Sequence, residues 1–474
     1  MMMKRHYLLY AFFFLFAAVI SSCSDDNTPD VPTEPSTADE FMTKLINTPG
    51  ISDVKQLEDS ASFIAKYECY ITQYVNGEDA TAGTFKQRLI IGYAGDDRPT
   101  QLSTEGYSII SYFEKPTYRD EPSELLNANM VYCEHRYFGK SIPSPCDYQY
   151  LNAKNAAHDH HVIYTTLKTL LPKKWMASNY SKGGMCAMFY RAFYPNDMDA
   201  TVSYVAPLCK GISDPRAYQF ILNEVGTAAE RERVVNMVAG YMQRKDTLIK
   251  LMEQRFEEYN IEPNVTLEEN FELAVADLPF SYWSYDVKDA KIPQESDDIK
   301  VWWDYLCQKQ GFTEAEHKST HYLSYYIQSA KELGNYACDM SILPGATITD
   351  YTDANYRLLL PKELWGKLPY SDELYNFVVD YFTNNDPQHI FIYGGRDPWY
   401  SVGVTRWLDT STKQNTAVYV YQEGNHQTEI KSFGATEYNE IMSKLKKWLD
   451  IEGEETPAVK KGAPKMPPRR PHVM

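Results

Sequence analysis

Three residues far apart in the chain are of the types that together activate a hydroxyl. Ser181 stands in Trp175-Met-Ala-Ser-Asn-Tyr-Ser181-Lys-Gly-Gly184, Asp397 in Tyr393-Gly-Gly-Arg-Asp-Pro-Trp399, and His426 in Glu423-Gly-Asn-His-Gln. A serine becomes a good nucleophile when an imidazole takes its proton, and a carboxylate on the far ring nitrogen fixes the tautomer of that imidazole. Each motif carries a local cue. Trp175–Ser178 reads as a strand, Gly183 and Gly184 leave room for a close strand-to-helix turn, and Met185-Cys-Ala-Met-Phe-Tyr-Arg-Ala-Phe reads as a helix ending before Pro195. Asn179 stands where such an elbow usually has a glycine; Asn tolerates unusual backbone angles but is bulkier. Asp397 and His426 follow the apolar runs His389–Tyr393 and Ala417–Tyr421. A turn Asp or a loop His is common by itself. What joins them is the order Ser, Asp, His, with the last two at the ends of consecutive predicted strands. Ser178 and Ser141 are the weaker alternatives for the nucleophile.

The elements that must position these residues fall into three parts. Over 41–211 strand candidates (Arg88–Tyr93, Met130–Cys133, Trp175–Ser178, Ala200–Val205) alternate with helical segments. Over 212–380 the pattern is helical: Val234, Val238, Tyr241, Met242, Leu248, Met252 and Phe256 follow three-to-four spacing. Strands return over 381–452, followed by a helix with Tyr438, Ile441, Met442, Leu445, Trp448 and Leu449 on one face. Alternation implies a parallel sheet covered on both faces, and sites of open α/β sheets lie at the carboxyl edge. The expected architecture is an α/β-hydrolase core with an inserted helical cap roofing that edge.

The chain has 474 residues, 43% hydrophobic and 23% charged, enough for a large core and for two structural units. A net charge of -17 disfavours phosphate backbones, so nucleic acid is not an expected partner. Lys4 and Arg5 precede an apolar run from Tyr7 to Ile20 that ends in Val-Ile-Ser-Ser-Cys at 19–23. This reads as a signal peptide (1–22), lipidation at Cys23 and a lipid-tethered linker (23–40). The protein is expected to be exported and held at the cell envelope by that lipid alone. Residues 453–474, rich in proline and basic residues, read as a disordered tail. Seven cysteines besides Cys23 leave an odd count, and neither a C-x-x-C pair nor a His/Cys cluster suggests zinc. No metal or cofactor is expected.

Further runs resemble a known family. Glu134-His-Arg-Tyr-Phe-Gly-Lys-Ser-Ile-Pro143, Gln87-Arg-Leu-Ile-Ile with Asp97-Arg-Pro-Thr, Glu105-Gly-Tyr, Ser181-Lys-Gly-Gly and Tyr204-Val-Ala-Pro-Leu are similar to blocks of the PS-10 type secreted serine peptidases. These are the prolyl tri- and tetrapeptidyl aminopeptidases, related to the prolylcarboxypeptidase and dipeptidyl peptidase group. The resemblance covers about 85–210 and 388–430; Asn179 departs from the family's glycine. It implies an exopeptidase acting on short peptides, with cleavage after proline. It also implies that the Glu134 block lies near Ser181, with oxyanion donors from the Lys182 N–H and from the loop at Phe138 or Gly139. Glu134 and Arg136 then either bind substrate or form a buried structural ion pair. A carboxylate meeting the peptide ammonium would set the fragment length, Glu134 being the first choice and a cap acid the next. Two rival readings are a carboxylic-ester hydrolase and a non-catalytic surface-binding lipoprotein that keeps the fold.

Overall fold

In a computed structural model, the residues described are 37–451 and 453, apart from 59, 78, 287–289, 311–319 and 349–353. The expected signal peptide, Cys23, the linker up to residue 36 and the tail from 454 lie outside the described residues.

Among the described residues nine strands pair in one sheet. They are β1 (Ile51–Gln56), β2 (Ala65–Asn76), β3 (Asp79–Tyr93), β4 (Thr100–Thr104), β5 (Asn129–Cys133), β6 (Trp175–Tyr180), β7 (Ala200–Tyr204), β8 (His389–Gly394) and β9 (Thr416–Tyr421). The spatial order is β1-β2-β3-β5-β4-β6-β7-β8-β9. The pairs β1–β2, β2–β3 and β3–β5 are antiparallel, and every pair from β5 to β9 is parallel. With the helical insertion between β7 and β8, this is the α/β-hydrolase fold with a cap.

Side-chain chemistry explains the two halves. β5, β7 and β8 are buried throughout, as strands covered on both faces must be, and read as runs rather than alternations. Val202, Ile390 and Ile392 pack with Ile441, Leu445 and Trp448 of the helix Ala435–Trp448. On the other face Leu102, Val131 and Ala177 meet Ile163 and Leu167 of the helix Ala153–Leu167 and Ala187 of the helix Lys182–Phe193. β1, β2 and β4 are additions to the strands expected from sequence. β4 reads Thr-Gln-Leu-Ser-Thr and is wholly buried although four of its five side chains are polar. Asp120 accepts hydrogen bonds from Gln101 Nε2 (2.9 Å) and Ser103 Oγ, and Thr104 Oγ1 donates to the Gly183 carbonyl at 2.9 Å.

The cap is built of helices begun by side-chain caps. Thr227 with Glu230 and Thr266 with Glu269 form reciprocal boxes at the starts of Ala228–Gln243 and Leu267–Tyr285. The second of these helices is buried from Asn270 to Ser284. One boundary moves. The helix Glu373–Asn384 packs Leu374, Val378 and Phe382 with Met188, Phe189 and Phe391, and Phe377 stacks on Phe193 at 4.5 Å. It covers the sheet, so the insertion ends before Glu373 rather than at 380.

Candidate active site

β6 ends at Tyr180 and a helix begins at Lys182, leaving Ser181 alone at the tip with φ 54° and ψ −124°. That backbone is costly for a residue with a Cβ and persists only where its surroundings enforce it. Ser181 N–H donates to the Tyr204 carbonyl and Met185 N–H to the Ser181 carbonyl, both at 2.9 Å. Gly183 and Gly184 supply the space. A Cβ on Gly183 would lie 2.7 Å from Asn179 Cγ, and one on Gly184 would lie 2.7 Å from the Tyr204 carbonyl oxygen. Asn179 therefore fits without a glycine of its own. Its Oδ1 accepts the Tyr180 N–H at 2.7 Å and its Nδ2 donates to Ser103 Oγ at 3.1 Å, making it part of the turn. The departure from the family's glycine is thus accommodated.

Three separate loops converge at the sheet edge. His426 Nε2 lies 2.9 Å from Ser181 Oγ, and His426 Nδ1 lies 2.6 Å from Asp397 Oδ2. Asp397 is fully buried, and its Oδ1 accepts the Trp399 N–H at 3.0 Å. Burial raises its pKa, opposed by His426 and by the Trp399 N–H. With Nδ1–H donating to the carboxylate, Nε2 is left to accept the serine proton. Gly394 lets the two loops meet, since a Cβ there would sit 2.3 Å from the Asn425 carbonyl oxygen. The Arg396 N–H donates to the Gly424 carbonyl at 2.8 Å, tying the acid's turn to the loop of the base.

The expected oxyanion loop needs correction. β5, which carries the Glu134 block, does not adjoin β6; β4 lies between them. The loop after β4 is Glu105-Gly106-Tyr107, and its glycine touches the elbow. A Cβ on Gly106 would lie 2.7 Å from Lys182 Cβ and 2.8 Å from the Gly183 nitrogen. Lys182 Nζ donates to the Gly106 carbonyl at 2.6 Å. Burial pulls this ammonium down to about 8, against Cys186, Glu105 and Glu332. Lys182 opens its helix, where the first N–H groups lack intrahelical acceptors. Phe138 N–H is engaged by the His135 carbonyl at 3.2 Å, and Gly139 packs its backbone on the Glu134 carboxylate. What this loop brings toward the elbow is the Phe138 ring, 4.9 Å from Lys182 Nζ.

Glu134 and Arg136 are not exposed to a substrate, nor are they paired with each other. Glu134 is fully buried; Oε1 accepts the Ile109 N–H (2.9 Å), and Oε2 accepts the Lys140 N–H (2.8 Å) and Ser141 Oγ (2.7 Å). Arg136, also fully buried, holds Asp159 through Nε and Nη2 at 2.7 Å each and donates to the Val75 carbonyl at 2.7 Å. Both residues brace the hairpin and the loop behind the site. Ser141 is spent on Glu134, and Ser178 is buried inside β6.

Sequence reasoning missed Glu121. Its carboxylate accepts the N–H groups of Ile430 and Lys431 and the Tyr204 hydroxyl, each at 2.9 Å. It joins the loop of His426 to the strand whose carbonyl holds Ser181. No local pattern signals it, because Ile430 is 309 positions away. Among the described residues, no three His, Cys, Asp or Glu side chains stand together as metal ligands.

The sequence model of the PS-10 peptidase S37 family matches residues 33–460. The chain is 28% identical over 408 residues to the prolyl tri/tetrapeptidyl aminopeptidase of Streptomyces mobaraensis, covering 84% of this chain and 82% of that protein. It is 29% identical over 140 residues to the lysosomal Pro-X carboxypeptidase of Bos taurus, covering 26% of this chain and 28% of the other. Among solved structures, a proline iminopeptidase-related protein from Thermus thermophilus matches with a TM-score of 0.36 at 11% identity, over 77% of this chain and 94% of that one.

Proposed function

Since the chain belongs to the PS-10 peptidase S37 family, and so to the serine peptidases, we propose that it is an exported aminopeptidase releasing short N-terminal peptides after proline. The observation that carries the catalytic part is the contact chain Ser181 Oγ–His426 Nε2 and His426 Nδ1–Asp397 at the tip of a strained elbow. In this reading His426 takes the Ser181 proton as Oγ attacks the scissile carbonyl, and Asp397 stabilises the imidazolium. The oxyanion faces the N–H groups of Lys182 and Gly106. The imidazolium then protonates the leaving amine, the amine departs, and an acyl-enzyme remains on Ser181. Water repeats the cycle: His426 takes its proton, the hydroxyl attacks the ester, and Ser181 leaves with the proton returned.

The preference for proline and for a tri- or tetrapeptide product rests on the name of the Streptomyces relative. Because Glu134 already accepts three hydrogen bonds, the carboxylate for a peptide ammonium is to be sought in the cap. Export and lipidation rest on the run before Cys23.

A fluorophosphonate probe tests the centre. The purified protein should be labelled at Ser181, and Ser181→Ala should lose labelling and about 10⁶-fold in kcat while keeping its Tm. Undiminished turnover in that variant would end the assignment. A proline tripeptide amide should outpace its N-acetylated twin; equal rates would remove the aminopeptidase reading and leave the triad standing.

A further inference from the structure

The cap is tied to both residues that serve Ser181: to the backbone of the base, and to the side chain of the residue that precedes the acid. The helix Leu267–Tyr285 ends beside the base. The His426 N–H donates to the Ser284 carbonyl at 2.9 Å, and the Tyr285 ring meets the imidazole edge-on with centroids 5.8 Å apart. Next to the acid, Arg396 reaches up into the cap. Its Nη2 lies 3.1 Å from Glu230 Oε1, and its guanidinium lies 4.7 Å from the Trp283 ring centre. The side chains of Arg396 and Glu230 are only 7% and 12% exposed, so water screens this pair little. The ends of the clamp are themselves fixed. Glu230 Oε2 accepts the Thr227 N–H at 2.8 Å, closing the box that starts its helix. Gly226 allows the packing, since a Cβ there would lie 2.7 Å from Trp283 and 2.8 Å from Glu230 Oε2.

These contacts form a circuit. Arg396 precedes Asp397 in the chain, and its N–H holds the Gly424 carbonyl of the loop that carries His426. A shift of the cap would therefore move acid and base together relative to Ser181, which is anchored to β7. We propose that Arg396 is a positioning residue, clamped by Glu230 and Trp283, through which the seating of the cap sets the register of Asp397 and His426 on Ser181. The proposal rests on the triad reading above. Errors of about 1 Å in such a constellation are felt in the chemical step.

The test uses Glu230→Gln in the full chain. Glutamine keeps the helix-starting box, because its carbonyl can take the Thr227 N–H, but it turns an NH₂ toward Arg396. The expected result is a kcat lowered about threefold to tenfold with KM within twofold, and an equal slowing of fluorophosphonate labelling, a probe too small to need the cap for binding. The downfield proton resonance of the His426–Asp397 hydrogen bond should broaden or move. Arg396→Met should give at least the same loss, and combining it with Glu230→Gln should add nothing further. A raised KM with unchanged kcat and labelling would overturn the proposal, since the cap would then only bind substrate; so would unchanged kinetics in folded Glu230→Gln. No labelling of the unmutated protein would overturn the triad and this coupling with it, whereas labelling at one rate in both proteins sinks the coupling alone.

Discussion

Asp397 at the sheet edge and Asp277 in the cap are both carboxylates removed from water, and their surroundings treat them differently. Asp397 has an imidazole on one oxygen and a backbone N–H on the other. Burial raises its pKa, but the partners that oppose this include a group able to carry positive charge. Asp277 meets the Tyr336 hydroxyl and Gln310 Nε2 (3.2 Å), both neutral, and burial takes it up to about 8. Glu121 shows that backbone donors alone do not make this difference: burial takes it up to about 8 against the Lys431 and Ile430 N–H groups. Buried charge around the sheet edge is held by ions and backbone donors, as in Arg136–Asp159 and Glu134. In the helix Leu267–Tyr285 the Asn270 side-chain amide and Ser284 Oγ are buried without a hydrogen-bond partner among the described residues, as are Thr100 Oγ1 in β4 and Ser178 Oγ in β6. Glu272, with Lys245 and the Thr347 and Ile348 N–H groups, is the exception in that helix. The partners of Asp397 favour its charged form, which the proposed attack by Ser181 requires. The buried helix of the cap is organised mainly by packing.

The sharpest way to test this contrast is to neutralise each acid. Asp397→Asn keeps the shape but donates toward Nδ1 and favours the wrong imidazole tautomer. The kcat should fall about 10⁴-fold with the fold intact, read from initial rates and a thermal melt. A loss under about tenfold would mean that Asp397 carries no charge-dependent role. A smaller effect is expected at the neighbouring loop. Gly106→Ala pushes a methyl against the Gly183 nitrogen and displaces the proposed donor, so kcat should fall about 10²- to 10³-fold with KM little changed. Gly139→Ala, which drives a methyl against the Glu134 carboxylate and displaces the loop expected from sequence, should cost less in kcat. The reverse ranking would restore the loop after β5 as the donor.

How much of this was legible in sequence depends on whether the signal was local. The elbow, the acid's turn and the base's loop each follow an apolar strand within a few residues, so their types and order could be read. β4 could not, because its burial is made tolerable by Asp120 and by the Gly183 carbonyl rather than by apolar side chains. The family resemblance implies the Glu134 block beside Ser181; β4, standing between β5 and β6, gives the loop at Gly106 that place against the elbow. The sequence offers Glu134, two residues away, as the ion-pair partner of Arg136, and nothing local marks Asp159, on a helix 23 residues later. Glu121 and the Arg396–Glu230 clamp depend on tertiary contact alone.

The smallest expected effect belongs to Asp277, and its sign is what makes it informative. An aspartate in an unfolded chain titrates near about 3.9; Asp277 in the folded protein is pushed up to about 8. Between those values the folded state binds a proton that the unfolded state has released, so stability falls as pH rises through this window. The contribution of the group is complete below about pH 4 and gone once the pH passes about 8. Asp277→Asn imitates the protonated acid, with an oxygen for Gln310 and an NH₂ for the Tyr336 hydroxyl, and it cannot lose the proton. Its Tm should match the unmutated protein near about pH 4 and exceed it by a growing margin up to about pH 8, with kcat unchanged at each pH. Melting curves at half-unit steps would read this directly. Parallel curves would mean that Asp277 is ionised when folded, and that the cap, like the sheet edge, keeps a buried charge.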